Sequence, residues 1–130
     1  MGERTVVRFR IGSVEVLAEL RSEWAPKTVE AIVKALPIRS YAHRWGDEVY
    51  FETDVEVGVE ENSKEVVEVG DVAYWIPGRA ICLFFGKTPI SDDVIRPASA
   101  VNVIGKIIEG LGELRNVSEG DEVLLELERQ

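Results

Sequence analysis

Val6-Val7-Arg8-Phe9-Arg10-Ile11-Gly12-Ser13-Val14-Glu15-Val16-Leu17-Ala18-Glu19-Leu20 is the stretch that decides the fold class. The runs Val6 to Ile11 and Val14 to Leu20 read as two alternating strands, each with one face for a core. Gly12-Ser13 between them suits a two-residue hairpin turn. In the second run Val14, Val16 and Ala18 share one face, while Glu15, Leu17 and Glu19 share the other. The chain therefore opens as an antiparallel hairpin.

The pattern then changes once. Pro26 fits the first turn of a helix, where its missing N–H costs nothing. Val29, Ile32, Val33 and Leu36 follow at i, i+3, i+4 and i+7, the stripe of an amphipathic helix, and Pro37 stops it. Beyond it the reading is mostly β. Gly46-Asp47, Gly70-Asp71 and Gly120-Asp121 each precede an apolar run (Val49 to Phe51, Val72 to Trp75, Val123 to Leu127), which is turn chemistry feeding strands. Pro77-Gly78 supplies a turn before the Ala80–Phe85 strand, Glu60 to Lys64 reads as a polar surface loop, and residues 86–100 form a loop-rich connection. Val101 to Ile108 is a strand and Leu111 to Val117 a short helical segment. About eight short strands, one clear helix and one short one describe a mainly β protein, a closed eight-stranded barrel with helices plugging its ends. No linker or low-complexity tract divides residues 1–130, which are read as a single domain.

Composition narrows the function. The chain has 130 residues, 45% hydrophobic and 30% charged, with a net charge of −9. That field repels a phosphate backbone, so nucleic acid is not the expected partner. No apolar stretch is long enough for a membrane span, and Met1-Gly2-Glu3-Arg4 opens no signal peptide. Cys82 is the only cysteine, which rules out an intramolecular disulfide and a multi-cysteine zinc site. A cytoplasmic protein is expected. One Gln, three Asn, one Met and one Cys beside abundant Glu, Val and Ile give a thermophile-like composition.

Familiar catalytic groupings are scarce. Cys82 lies within Ile81-Cys82-Leu83-Phe84, where a free cysteine acts as a small buried hydrophobe. His43, the only histidine, reads as a surface residue at a polar loop. Asp92-Asp93 reads as a solvated turn and not a metal site, and neither Gly86-Lys87 nor Gly105-Lys106 belongs to a phosphate loop. No metal or cofactor is expected. Aromatic and basic residues near turns are more informative: Arg44, Trp45, Trp75, Phe84 and Arg96 are the candidate ligand contacts, suited to a peptide or a small molecule. The opposing reading of the aromatics is plain core filling. Ala80, Cys82 and Phe84 share one face of their strand and Ile81, Leu83 and Phe85 the other. Both faces are apolar, so a helix or a second subunit, as in a homodimer, is expected to cover one.

Several of these stretches resemble cyclophilins. Ala25-Pro26-Lys27-Thr28-Val29-Glu30 is similar to the helix start of that family. Val103-Ile104-Gly105-Lys106-Ile107-Ile108-Glu109-Gly110-Leu111 is similar to its "V-F-G-K-V-x-x-G-M" signature, and Trp45-Gly46-Asp47-Glu48 with Phe51-Glu52 is a looser echo of "Y-G-x-x-F-x-D-E". The whole chain resembles more closely a family of uncharacterised prokaryotic cyclophilin-like proteins. The runs that carry this likeness are Gly70 to Gly78, Cys82 to Pro89 and Pro97 to Lys106.

The resemblance implies an eight-stranded cyclophilin-like barrel. Prolyl isomerases of this type lower the roughly 20 kcal/mol barrier to amide rotation by binding a twisted peptide bond against an arginine and an apolar pocket. The segment that carries their arginine is largely missing here, replaced by Ile38 to Arg44. Matching the remaining motifs places Val101 at a pocket histidine, Cys82 at a pocket phenylalanine and Arg96 near a pocket tryptophan. The expected function is a barrel of unassigned activity that binds a small ligand or peptide. The alternative is a divergent peptidyl-prolyl cis-trans isomerase using Arg44 or Arg39. A third reading is an enzyme of another class using Asp92 or Asp93 with Arg96. A fold alone does not choose among them.

Overall fold

The opening hairpin forms as its alternation predicts. Strands β1 (Thr5–Ile11) and β2 (Val14–Leu20) pair from Thr5 opposite Leu20 to Ile11 opposite Val14, and bury Val7, Phe9, Val16 and Ala18. The computed structural model describes residues 4–128; the expectation about a signal peptide rested on Met1, Gly2 and Glu3, which lie outside the described residues. Helix α1 (Pro26–Ala35) follows, with Val29 and Ile32 buried and Val33 and Leu36 packed at the core's edge. It ends where Leu36 turns extended ahead of Pro37. Ala25, at the cap position, has no side chain able to bond the first turn's N–H groups. Glu61 does so from outside the helix, its carboxylate accepting the backbone N–H of Lys27 and of Thr28 at 3.1 and 2.8 Å.

The remaining strands are β3 (Ile38–Tyr41), β4 (His43–Arg44), β5 (Glu48–Glu52), β6 (Ser63–Lys64), β7 (Asp71–Trp75), β8 (Ala80–Phe84), β9 (Val101–Glu109) and β10 (Glu122–Leu127). They form one antiparallel sheet in the order β3-β10-β1-β2-β9-β7-β8-β5-β4, with β6 attached to β9. The sheet curls into a nearly closed barrel with a single seam, where Ser40 Oγ donates to the Glu52 carbonyl at 2.7 Å. Among the described residues the strand count is ten and not eight. The strands not named from sequence are β3, β4 and β6: β3 has four residues after a proline, and β4 and β6 have two each, too few to show a period. His43 and Arg44 therefore sit in a strand and not a loop. Glu60 to Lys64 is likewise no free surface loop, because Ser63 and Lys64 pair with Asn102 and Val101. Short 3-10 turns occupy Ile76–Gly78 and Leu111–Asn116, where a turn and a short helical segment were expected.

Two of the Gly-Asp pairs close their turns in the same way. Gly70 and Gly120 take left-handed backbone (φ 93° and 90°), and the following aspartates accept the N–H three residues back, Glu68 and Ser118, at 2.9 Å. Gly105 in β9 serves close approach instead: a Cβ there would lie 2.2 Å from the Glu19 carbonyl oxygen of β2. The "Gly-Lys" signature is thus a packing requirement between two strands.

Hydrophobic residues form two layers. The barrel interior holds Phe9, Val49, Phe51, Tyr74, Leu83 and Ile104, among others. A second cluster, Val67, Ala73, Cys82, Phe84, Ile95, Val101 and Val103, lies on the outer face of β7, β8 and β9. The apolar outer face of β8 is covered by the chain itself: residues 65–69 and 86–100 cross it, joined by the Val67–Ile95 bridge. Among the described residues, no helix is long and apolar enough to cross a membrane.

Candidate functional site

On this outer face the cover is incomplete, and a pocket of about 130 Å³ remains. Trp45, Glu48, Tyr50, Trp75, Cys82, Pro97, Ala98 and Val101 line it. Strand alternation explains the set. Glu48 and Tyr50 point outward from β5 because Val49 and Phe51 point into the barrel, and register sets Tyr50 opposite Cys82 and Cys82 opposite Ala73. Trp45 joins them through a tight turn, with reciprocal backbone bonds between Trp45 and Glu48 at 2.9 and 3.2 Å. Gly46 in that turn packs against the Lys87 carbonyl oxygen, 2.9 Å from where a Cβ would be.

The wall contributed by residues 86–100 is held internally. Ser91 Oγ accepts the N–H of both Thr88 and Arg96 at 3.0 Å, and the Thr88 hydroxyl donates to the Arg96 carbonyl. Trp75 donates its indole N–H to Ser99 Oγ at 2.7 Å, which fixes the ring against this wall.

Glu48 is the unusual member. It is only 5% exposed, its carboxyl faces an aromatic and aliphatic pocket, and burial pushes its pKa up to about 7, the neighbouring Cys82 thiol opposing this weakly. The weak S–H of Cys82 donates to that carboxyl, and among the described residues no cation pairs with it. A perturbed acid in a cleft is a physical marker of a functional site. Burial, and then the nearby Glu48 charge, push the Cys82 thiol well above its ordinary value, so it is a neutral part of the floor and not a nucleophile.

Tyr50 is backed by His43. The two rings stack with centroids 4.9 Å apart, and His43 bridges Glu119 (Nδ1, 2.6 Å) and Glu52 (Nε2, 3.0 Å). The Glu119 hydrogen bond is the largest influence raising the His43 pKa above its ordinary value. His43 is therefore a half-buried, doubly bonded residue and not a free surface imidazole.

The structure separates the candidate contacts read from sequence. Trp45 and Trp75 both line the pocket. Phe84 is fully buried in the outer hydrophobic cluster and does not line it. Arg44 lies elsewhere: its guanidinium donates to the carbonyls of Val117 at 2.8 Å, Gly46 at 3.0 Å and Arg115 at 3.3 Å, and covers the Phe85 ring. Arg96 pairs with Asp92 at 3.0 Å on the outside of the 86–100 segment. Arg39 is exposed beside the seam. Among the described residues no arginine lines the pocket, whereas Cys82 and Val101, matched above to pocket positions, do.

Glu48 and Tyr50 were absent from the sequence-based set. The available signal was a carboxylate and a tyrosine two residues apart on a strand, just after an aromatic-Gly-Asp turn. Among the described residues, no group of three or more His, Cys, Asp or Glu side chains is arranged to hold a metal ion.

The barrel, the outer cover and this pocket define the class. A family model described as Cyclophilin-like matches residues 5–126, and the chain belongs to that cyclophilin-like family. The solution structure of the hypothetical protein AF2241 from Archaeoglobus fulgidus is similar at 63% identity with a TM-score of 0.84, over 97% of this chain and 98% of that one. McbB, solved in complex with tryptophan, shares the fold at 13% identity and a TM-score of 0.75, over 95% of this chain and 45% of that one. Among curated proteins, none matches.

Proposed function

We propose that this protein is a small-ligand-binding module whose binding site is the outer-face pocket between β5, β7, β8 and the 86–100 segment. The observation that carries the reading is Glu48, a buried carboxyl facing an aromatic-lined cavity with the weak S–H of Cys82 beside it as donor. Pockets that recognise small molecules are mostly apolar with a few placed polar groups, and this one has that composition. A flat ring has Trp45, Tyr50 and Trp75 to lie against, and the rest of the lining is small or aliphatic. The single buried cysteine supports a cytoplasmic setting for this module. Prolyl isomerisation is less well supported, because Arg44 is engaged with three carbonyls and among the described residues no guanidinium lines the cavity.

The test is an NMR titration of isotopically labelled protein with small aromatic compounds and, separately, with Xaa-Pro tetrapeptides. Shifts concentrated at the Trp45 and Trp75 indole N–H groups and at Tyr50 support the assignment. Millimolar ligand that leaves these resonances in place removes it, and catalysed exchange of the peptide bond would restore the isomerase reading.

A further inference from the structure

Within that ligand-binding reading, on which this step rests, we infer that the pocket takes a small organic cation: a protonated amine or amidine carried on a compact aromatic body, its N–H groups received by Glu48.

Three independent features favour positive charge. Glu48 is buried in the pocket lining, and the donor beside its carboxyl is the weak S–H of Cys82. Burying a carboxylate without a strong donor or a cation is costly, and a ligand ammonium supplies both the charge and the donors. The walls include the rings of Trp45, Tyr50 and Trp75, and aromatic rings attract cations within about 6 Å of the centroid. The chain's net charge of −9 concentrates cations and repels anions at the surface. A neutral ring can occupy the apolar part but leaves the carboxyl unmatched. An anion would add a second negative charge beside it.

Size sets the body of the ligand. A cavity of about 130 Å³ is close to the roughly 150 Å³ apolar cavity that admits benzene. One ring with a one-carbon arm to nitrogen therefore fits, with anything longer projecting out of the pocket.

The experiment compares three probes of one shape against the full-length protein at about pH 8, where Glu48 is mostly ionised and benzylamine still protonated: benzylamine, benzyl alcohol and benzoate, by calorimetry with the indole N–H resonances followed in parallel. Benzylamine is expected to bind at least tenfold more tightly than benzyl alcohol, and benzoate least, since one hydrogen bond to a charged group amounts to roughly tenfold or more. Glu48→Gln, isosteric and uncharged, is expected to bring benzylamine down to the level of benzyl alcohol. Benzyl alcohol binding as tightly as benzylamine while moving the indole resonances overturns the cation inference and leaves the pocket assignment standing. The cation inference also falls, with the pocket still assigned, if the Glu48→Gln protein, folded by its dispersed spectrum, keeps the benzylamine preference. Silence of the indole resonances to all three probes overturns the pocket assignment and the inference with it.

Discussion

The Glu61 carboxylate accepts both the backbone N–H and the hydroxyl of Thr28, each at 2.8 Å, across 33 residues of chain. The helix start lacks a cap of its own, and a distant loop provides it. Thr28 Oγ1 in turn receives the Asn102 side chain at 3.2 Å, tying helix, loop and β9 together. Glu61→Ala is expected to destabilise the fold by about 1–2 kcal/mol, the scale of a lost cap. Chemical denaturation measures it, and a loss of only a few tenths would show that the helix start needs no cap.

Glu48 makes stability depend on pH in a definite direction. Its folded pKa of about 7 lies above its ordinary 4.5, so the folded state binds the proton more tightly. The resulting stabilisation is complete below about 4.5 and is lost as pH rises through about 7. At about 1.4 kcal/mol per pKa unit the loss is about 3 kcal/mol. Denaturation of wild type and Glu48→Gln across pH 4 to 8.5 isolates it: the difference should change by about that amount, and a flat difference contradicts the burial argument.

His43 offers a direct reading, because it is the only histidine in the chain. Its imidazole titration is expected to have a midpoint above the ordinary 6.5, held up chiefly by Glu119. The sign follows: its stabilising effect is present below 6.5 and is lost as pH rises through the raised folded value. A one-dimensional proton spectrum followed with pH gives the midpoint, and Glu119→Gln should lower it. An unchanged midpoint in that variant would remove Glu119 as the cause.

Gly105→Ala tests the contact between β2 and β9. With the Glu19 carbonyl oxygen 2.2 Å from the new Cβ, the strands must separate or shift register. A cost of about 3 kcal/mol is expected, or a fall of about 10 °C in Tm. A thermal melt within two degrees of wild type would mean that the strands slide apart easily.

Arg44→Lys distinguishes a clamp from a ligand contact. Lysine cannot span the carbonyls of Gly46, Arg115 and Val117 together, so stability should fall by about 2 kcal/mol. Benzylamine affinity should stay within about twofold. A large loss of affinity with unaltered stability would return Arg44 to the binding surface.

Most of the barrel was legible because its longer strands keep period two and its turns carry Gly-Asp or Pro-Gly. The hairpin, α1 and the start of β9 follow from local pattern alone. The two-residue strands β4 and β6 do not, since two residues carry no periodicity and only their partners define them. The site was half legible for a related reason. Trp45 and Trp75 stand out by residue type, but β8 is apolar on both faces, so its sequence cannot say which face looks outward. Only the pairing of Tyr50 with Cys82 does, and that pairing also puts Glu48 on the outer side. Arg44 misleads for the same reason, its acceptor Val117 lying 73 residues away.

The Ser91 and Ser99 hydrogen bonds that fasten the 86–100 segment and the Trp75 ring also bear on selectivity. A wall locked before any ligand arrives needs little reorganisation when one does, so a matching guest loses little affinity to ordering the host. The same stiffness penalises guests that are too bulky, because accommodating them breaks those bonds. This barrel should therefore discriminate by size as sharply as by charge, behaving as a gauge and not as an adaptable cleft.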